Sequence, residues 1–372
     1  MHSKMMALAA AVLSVQAGVV NALDVGVILD AYHKSETTAL GGRSEGFGSS
    51  HSELSLSQDV ADFATAQVSL VGEWNEDESD LVVEEAYLQT TALPGGLNVM
   101  GGRFLADIGY LNATHNHADN FSERPLLYRA FLGGHYFDDG VGVSWLVPTA
   151  RYWRLSAGAF SGDELGEADS ASNIGTWTLS TELGDDIGET ASWQMGFSYL
   201  RNNTQSSLHH HEDDHDEEHD HEHVGHAHGA AYQGKNLYLA DLVWKWAPQG
   251  NNRQQQIKIA AEYAYVDDIY TAELGHYDGW YLSGIYQFDE NWATGIRYGR
   301  VNLAEEHEHE GEHEWQQGRL TETTVMLSWQ PTHSQRLRLE YRHQDAAHME
   351  GADNAITLNY QIGFGAHAAH SF

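Results

Sequence analysis

Leu337-Arg338-Leu339-Glu340-Tyr341-Arg342 carries an apolar residue at every odd position and a charge at every even one. Side chains alternate across a strand, so as a strand this segment has one apolar face and one charged face. A strand buried on both faces cannot hold that many charges, but a strand standing between lipid and a wet lumen can. The pattern recurs upstream. In Ala64-Thr65-Ala66-Gln67-Val68-Ser69-Leu70 the even positions are apolar, and in Ile257-Lys258-Ile259-Ala260-Ala261-Glu262-Tyr263-Ala264-Tyr265 the odd ones are.

Extending the pattern along the chain places strands near 23–33, 51–59, 63–74, 80–91, 96–104, 140–147, 151–162, 174–183, 190–202, 235–247, 253–266, 277–288, 291–302, 319–330, 335–344 and 355–368. That is about sixteen, an even number, and it predicts an all-β, closed antiparallel transmembrane barrel. The links between strands alternate in length. Those near 60–62, 92–95, 148–150, 289–290 and 331–334 are short, whereas 34–50, 105–139, 203–234, 303–318 and 345–354 are long. Short periplasmic turns and long extracellular loops give that alternation, and a soluble β-sandwich has no reason to sort its links this way. Trp74, Trp145, Trp244, Trp246, Tyr263, Tyr265, Trp292 and Trp329 fall near strand ends, where an aromatic girdle meets the membrane interface.

The N-terminus has the form of a Sec signal peptide over 1–22. Lys4 is the positive start, Met5 to Val20 the apolar run, and Val20-Asn21-Ala22 the cleavage site, so the barrel is expected over 23–372. No apolar run reaches the ~18 residues of a membrane helix, which leaves strands as the only spanning elements. A formal charge of −35 excludes a nucleic-acid partner, which requires a basic face, and favours cations at the surface. Mean hydropathy of −0.47 excludes a helical membrane protein but not a barrel, because only alternate strand residues meet lipid. The absence of cysteine is compatible with export.

Residues 209–228 read HHHEDDHDEEHDHEHVGHAH. His209, His210, His211, His215, His219, His221, His223, His226 and His228 stand among carboxylates, with nothing apolar to bury. Imidazole binds Zn²⁺, Cu²⁺ and Ni²⁺ and carboxylates complete a coordination shell, so the segment is expected to gather metal in many shallow sites. The alternative is a solvated acidic loop. His307, His309 and His313 repeat this chemistry in the link 303–318. The link 105–139 differs in having apolar residues, Leu126, Leu127, Tyr128, Phe131 and Leu132, and is a candidate constriction loop. Within it, His115, His117 and Asp119 are spaced to converge on one ion; alternatively these histidines only make hydrogen bonds in a packed loop. Arg297, Arg336, Arg338, Glu340 and Arg342 are expected to line the pore, either setting selectivity or pairing with one another. No nucleophile elbow, phosphate loop or helical metal motif argues for an enzyme.

Glu85-Ala86-Tyr87-Leu88-Gln89-Thr90-Thr91, Leu93-Pro94-Gly95-Gly96-Leu97, Gly101-Gly102-Arg103-Phe104, Ile108-Gly109-Tyr110-Leu111-Asn112, His115 to His117 and Tyr128-Arg129-Ala130-Phe131-Leu132-Gly133-Gly134 resemble the family of zinc-regulated outer-membrane receptors, often labelled TonB-dependent. That family is similar in length and layout to phosphate-selective-type porins. The resemblance implies zinc uptake across the outer membrane, delivery to a periplasmic zinc-binding protein and an ABC importer, and a porin-like homotrimer. TonB-dependent receptors carry a plug before a larger barrel. Here alternation begins within a few residues of Leu23, so the expectation is a plugless channel. Two other readings stay open: a surface metal-binding or adhesion protein anchored by its barrel, and a general or anion-selective porin.

Overall fold

The computed structural model describes residues 23–75, 79–91, 93–165, 174–203, 234–269, 276–309, 312–346 and 351–365. Sixteen strands close one antiparallel barrel. They are β1 (Asp24–Lys34), β2 (Gly46–Ala61), β3 (Ala64–Trp74), β4 (Ser79–Thr90), β5 (Leu97–Leu105), β6 (Phe137–Leu146), β7 (Tyr152–Phe160) and β8 (Thr176–Ile187), then β9 (Ala191–Asn202), β10 (Asn236–Trp246), β11 (Gln256–Asp267), β12 (His276–Gln287), β13 (Trp292–His309), β14 (Glu312–Thr332), β15 (Gln335–Ala346) and β16 (Asn354–Gly365). Each pairs with its chain neighbours, and β1 closes the ring on β16.

The barrel is apolar outside and charged inside. Along β15, Leu339 and Tyr341 are 49% and 47% exposed, whereas Arg338, Glu340 and Arg342 are all at 2% or less. Leu179, Leu282, Ile296 and Ile356 continue the outer apolar surface on other strands. Exposed Trp74, Trp145, Trp246, Trp292 and Trp329 lie at strand ends, and Trp292 stacks on Trp329 across β13 and β14. No water-facing surface tolerates so continuous an apolar band, but lipid does.

The links 62–63, 147–151, 188–190, 288–291 and 333–334 are short and share a rim with both ends of the barrel, where Gly26 pairs with Gly365. The links 35–45 and 106–136 begin and end at the opposite rim, where the strand ends flanking 161–175 and 203–235 also lie. The link expected over 303–318 is instead a hairpin. β13 and β14 run on past the barrel, pairing His307 with Glu314, Glu308 with His313 and His309 with Glu312. In this register each His of the ribbon has a Glu as its cross-strand partner. Residues 1–22 and 209–228 lie outside the described residues, as do the side chains of His307, His309 and His313.

Among the bulges in the sheet, two re-aim residues of the lumen. β2 carries one extra residue between Ser49 and Ser52 relative to β3, which turns Phe47 outward and His51 and Glu53 inward although all three positions are odd. β4 carries another: Ser69 pairs with Glu85 and Leu70 with Val83, leaving Glu84 as the extra residue. Above the bulge Leu81 and Val83 face out; below it Leu88 does. Glu84 and Glu85, adjacent in sequence, therefore both face the lumen. Bulges re-aim side chains in this way.

The segment 106–136 folds into the lumen. Asn112, fully buried, ties its entry to its exit: the side chain donates to the carbonyls of Ala106 and Tyr136 and accepts from the Tyr136 amide. A short 3₁₀ turn (Asn116–Ala118) is followed by α1 (Leu126–Leu132), which Gly133 ends in the left-handed conformation at φ 61°. Every residue of α1 is buried. Its apolar side chains pack on Leu239, Tyr277, Tyr281, Val301 and Leu303 of β10, β12 and β13. That part of the lumen is filled, so the remaining space lies mainly against β1–β8.

A candidate metal centre in the lumen

The polar side of the inner segment is clamped by charge. Glu123 receives Lys34 Nζ at 3.0 Å, Arg342 Nη1 at 2.7 Å and Arg129 Nη1 at 3.4 Å. Glu322 on β14 meets Arg129, Arg342 at 3.2 Å and Arg297 at 3.4 Å. Glu340 accepts from the backbone amide and hydroxyl of Ser122, both at 2.6 Å. Arg338 donates to the Asp119 carbonyl at 2.9 Å, and Arg336 to the His117 carbonyl. The residues expected to line the pore thus do face the lumen, but their partners are the inner segment, which they hold in place. Burial penalises the Glu123 carboxylate, yet Arg342, Lys34 and Arg129 outweigh it and hold its pKa well below the usual carboxylate range.

Facing the β2–β4 wall, the turn at Asn116–Ala118 presents His115 and His117, their rings stacked at 5.5 Å. His117 Nδ1 lies 2.9 Å from Glu53 Oε2, and His115 Nδ1 lies 3.4 Å from the same oxygen. His115 also meets Glu84 Oε2 at 2.9 Å and, through Nε2, Glu85 Oε2 at 3.1 Å. One donor atom each from His51, Glu53, His115 and His117 falls within 4.8 Å of all the others. Around a tetrahedral zinc with bonds near 2.0–2.1 Å, donors stand about 3.3 Å apart, so small side-chain rotations close the set. Buried His51 Nε2 and Glu53 Oε2 make no well-directed hydrogen bond. Three imidazoles and a carboxylate so placed suit a Zn²⁺, Cu²⁺ or Ni²⁺ ion. Burial favours the neutral His115 ring, but Glu84 and Glu85 outweigh it and hold the pKa well above its ordinary value.

Of the three loop residues expected to converge, His115 and His117 do and Asp119 does not. Asp119 turns to the other side of the 3₁₀ turn and pairs with Arg124 Nε at 2.7 Å. The Arg124 guanidinium thus holds Asp119 Oδ2 away from the histidines. The wall residues His51, Glu53, Glu84 and Glu85, and His135 at the end of the inner segment, are not among the residues that the sequence marks as ligands. His51-Ser52-Glu53 carries a legible signal, two ligand types on one strand face. Glu84-Glu85 carries none, since neighbours on a regular strand point to opposite faces.

Fold and lumen together define an outer-membrane channel of porin type. Residues 56–372 match the family described as beta-barrel porin-2, OmpL-like, and the chain belongs to that family. An uncharacterized protein of Aquifex aeolicus (strain VF5) is 30% identical over 359 residues, covering 88% of this chain and 70% of that protein. Among solved structures, Pseudomonas putida OprB at high pH superposes with a TM-score of 0.58 at 10% identity, covering 92% of this chain and 94% of that one. The anion-selective porin from Comamonas acidovorans gives 0.55 at 11% identity, covering 92% and 99%. The trimer form of Vibrio cholerae OmpT gives 0.54 at 11%, covering 92% and 99%. These likenesses concern the fold.

Proposed function

We propose that this porin-family channel admits a divalent transition metal, Zn²⁺ by the chemistry of its donors, through the constriction between the inner segment and the β2–β4 wall. The supporting observation is the convergence of His51, Glu53, His115 and His117 at that constriction. The long-link rim faces outward in this reading. There, residues 209–228 and the Glu/His hairpin of β13 and β14 raise the local metal concentration. Zn²⁺ is cargo, handed to a periplasmic zinc-binding protein that serves an ABC importer. The channel works without a TonB-type plug, carries out no covalent chemistry and assembles as a homotrimer, as in the OmpT trimer form.

A general or anion-selective porin is the second reading, favoured by the arginines on β13 and β15. Arg342 and Arg297 are paired with Glu123 and Glu322, and Arg338 donates to an inner-segment carbonyl, so their donors are committed to holding that segment rather than to a passing anion. Purified protein in liposomes carrying a zinc-sensitive dye is expected to admit Zn²⁺ at least tenfold faster than Mg²⁺, which prefers an oxygen shell. Equal rates, or an anion-selective reversal potential in planar bilayers, would support the second reading. Deleting 209–228 is expected to remove most weak Zn²⁺ sites in a titration and leave the melting temperature nearly unchanged, because the segment has nothing to pack.

A further inference from the structure

The constriction separates two cavities. One, of about 770 Å³, opens toward the long-link rim and is lined by His51, His135, Asn116, Glu73 and Asp80. The other, of about 500 Å³, reaches toward the short-turn rim and is lined by Glu53, Glu85, His115 and His117. Glu84 stands between them. Its Oε1 lies 2.8 Å from His135 Nε2 and 3.5 Å from His51 Nε2, while its Oε2 lies 2.9 Å from His115 Nδ1. The Asn116 amide nitrogen lies 3.5 Å from His51 Nδ1 and 3.4 Å from His135 Nδ1. That contact holds both rings with their Nε2 atoms toward the same carboxylate oxygen, the role that outer-shell partners play at metal sites.

We propose that the constriction holds two divalent transition-metal ions: an outer one on His51, His135 and Glu84 Oε1, and an inner one on His115 Nδ1, His117 and Glu53, with Glu84 bridging them and Glu85 accepting from the far nitrogen of His115. This assignment rests on the metal reading above and extends it from a site to a path. A single His/Glu cage deep in a lumen binds firmly and releases slowly. Two adjacent positions pass an ion on, because the second dication repels the first. Three carboxylates, Glu53, Glu84 and Glu85, compensate most of the charge of two dications. The bridging carboxylate lets an ion exchange one oxygen for the other without losing all its ligands. His51 lies within reach of both positions and is the ligand that is handed over.

Crystals of the full chain soaked in ZnCl₂, with data collected at the zinc edge, test this. Two anomalous peaks are expected in the lumen, separated by on the order of 4 Å, as in carboxylate-bridged two-metal sites. His135→Gln is expected to abolish the outer peak and keep the inner, His117→Gln the reverse, and Glu84→Gln to weaken both and slow Zn²⁺ entry into liposomes at least tenfold. The retained peak in each single variant shows that the barrel is folded. One peak only, insensitive to His135→Gln, would overturn the second position while leaving the metal reading intact. No lumen peak in the unaltered protein would overturn both.

Discussion

His117→Ala is expected to weaken Zn²⁺ binding in the lumen by at least 100-fold, and Glu53→Gln by a comparable factor. The two side chains face each other at 2.9 Å, and both belong to the four-donor set. Losing a mere outer-shell partner costs 10–100-fold in metal affinity, so losing a direct ligand costs no less. In a titration of the full chain against a chelating dye, the lumen should appear as a tight phase ahead of the weak sites of 209–228. His117→Ala should remove the inner ion, lowering the stoichiometry of the tight phase, and leave the weak phase unchanged. Protons sharpen the test. Imidazoles bind metal only when deprotonated, so affinity falls roughly tenfold per pH unit for each imidazole below its pKa. Glu84 and Glu85 raise the His115 pKa against the opposing effect of burial, so metal competes with its proton up to a higher pH than at an ordinary imidazole. The tight phase should strengthen as pH rises through neutrality and be lost by about pH 5.5. A tight phase with the same stoichiometry and affinity in His117→Ala as in the unaltered protein, or one that ignores pH, would remove the lumen histidines as ligands.

The barrel was legible because its rule is local. Alternation in Leu337–Arg342 and Ile257–Tyr265 places each residue on a face without reference to distant parts of the chain, and link lengths sort the rims. The clusters around His115 and His117 were half legible. Their spacing in the link marks them as ligands, but what they meet depends on how that link docks, and docking is set by α1 packing on β12 and β13. The wall half was hidden by the bulges. Period-two reading assigns Glu84 and Glu85 to opposite faces, and only the extra residue in β4 turns both inward. Asp119 shows the converse: spacing allowed convergence, but a closer cation, Arg124, captured it. Irregularities in a strand are where regular-pattern reading fails, and here they are also where the candidate ligands stand.

Glu123→Gln is expected to open the channel. The carboxylate is buried and meets Lys34, Arg342 and Arg129, while accepting from the Gly42 amide at 3.2 Å. The amide keeps the shape and removes the charge, so three cations are left facing one another with Glu322 as their remaining common anion near Arg129 and Arg342. Breaking a buried pair by removing one partner costs about 3–5 kcal/mol. Because Glu123 and Arg129 ride on the inner segment while Lys34 and Arg342 belong to the barrel wall, that cost falls on docking of the segment rather than on the strand ladder. At 1.4 kcal/mol per factor of ten, the undocked population rises by roughly 10²–10³. Single-channel recordings should then show frequent steps to a conductance well above that of the unaltered protein, with Zn²⁺ preference lost during those steps. Protease should nick the variant between 106 and 136 while leaving the strands intact. The sign of the pH effect distinguishes this latch from the metal centre. A carboxyl held below its unfolded value contributes stability that is present above that value and is lost only as pH falls through the lowered one. Between pH 7 and about pH 5 the latch should hold while metal binding disappears, so conductance to small ions should stay low even as Zn²⁺ ceases to bind. Large open steps already at pH 5 in the unaltered protein, or a Glu123→Gln channel indistinguishable from it at pH 7, would mean that something other than this charge cluster keeps the inner segment in place.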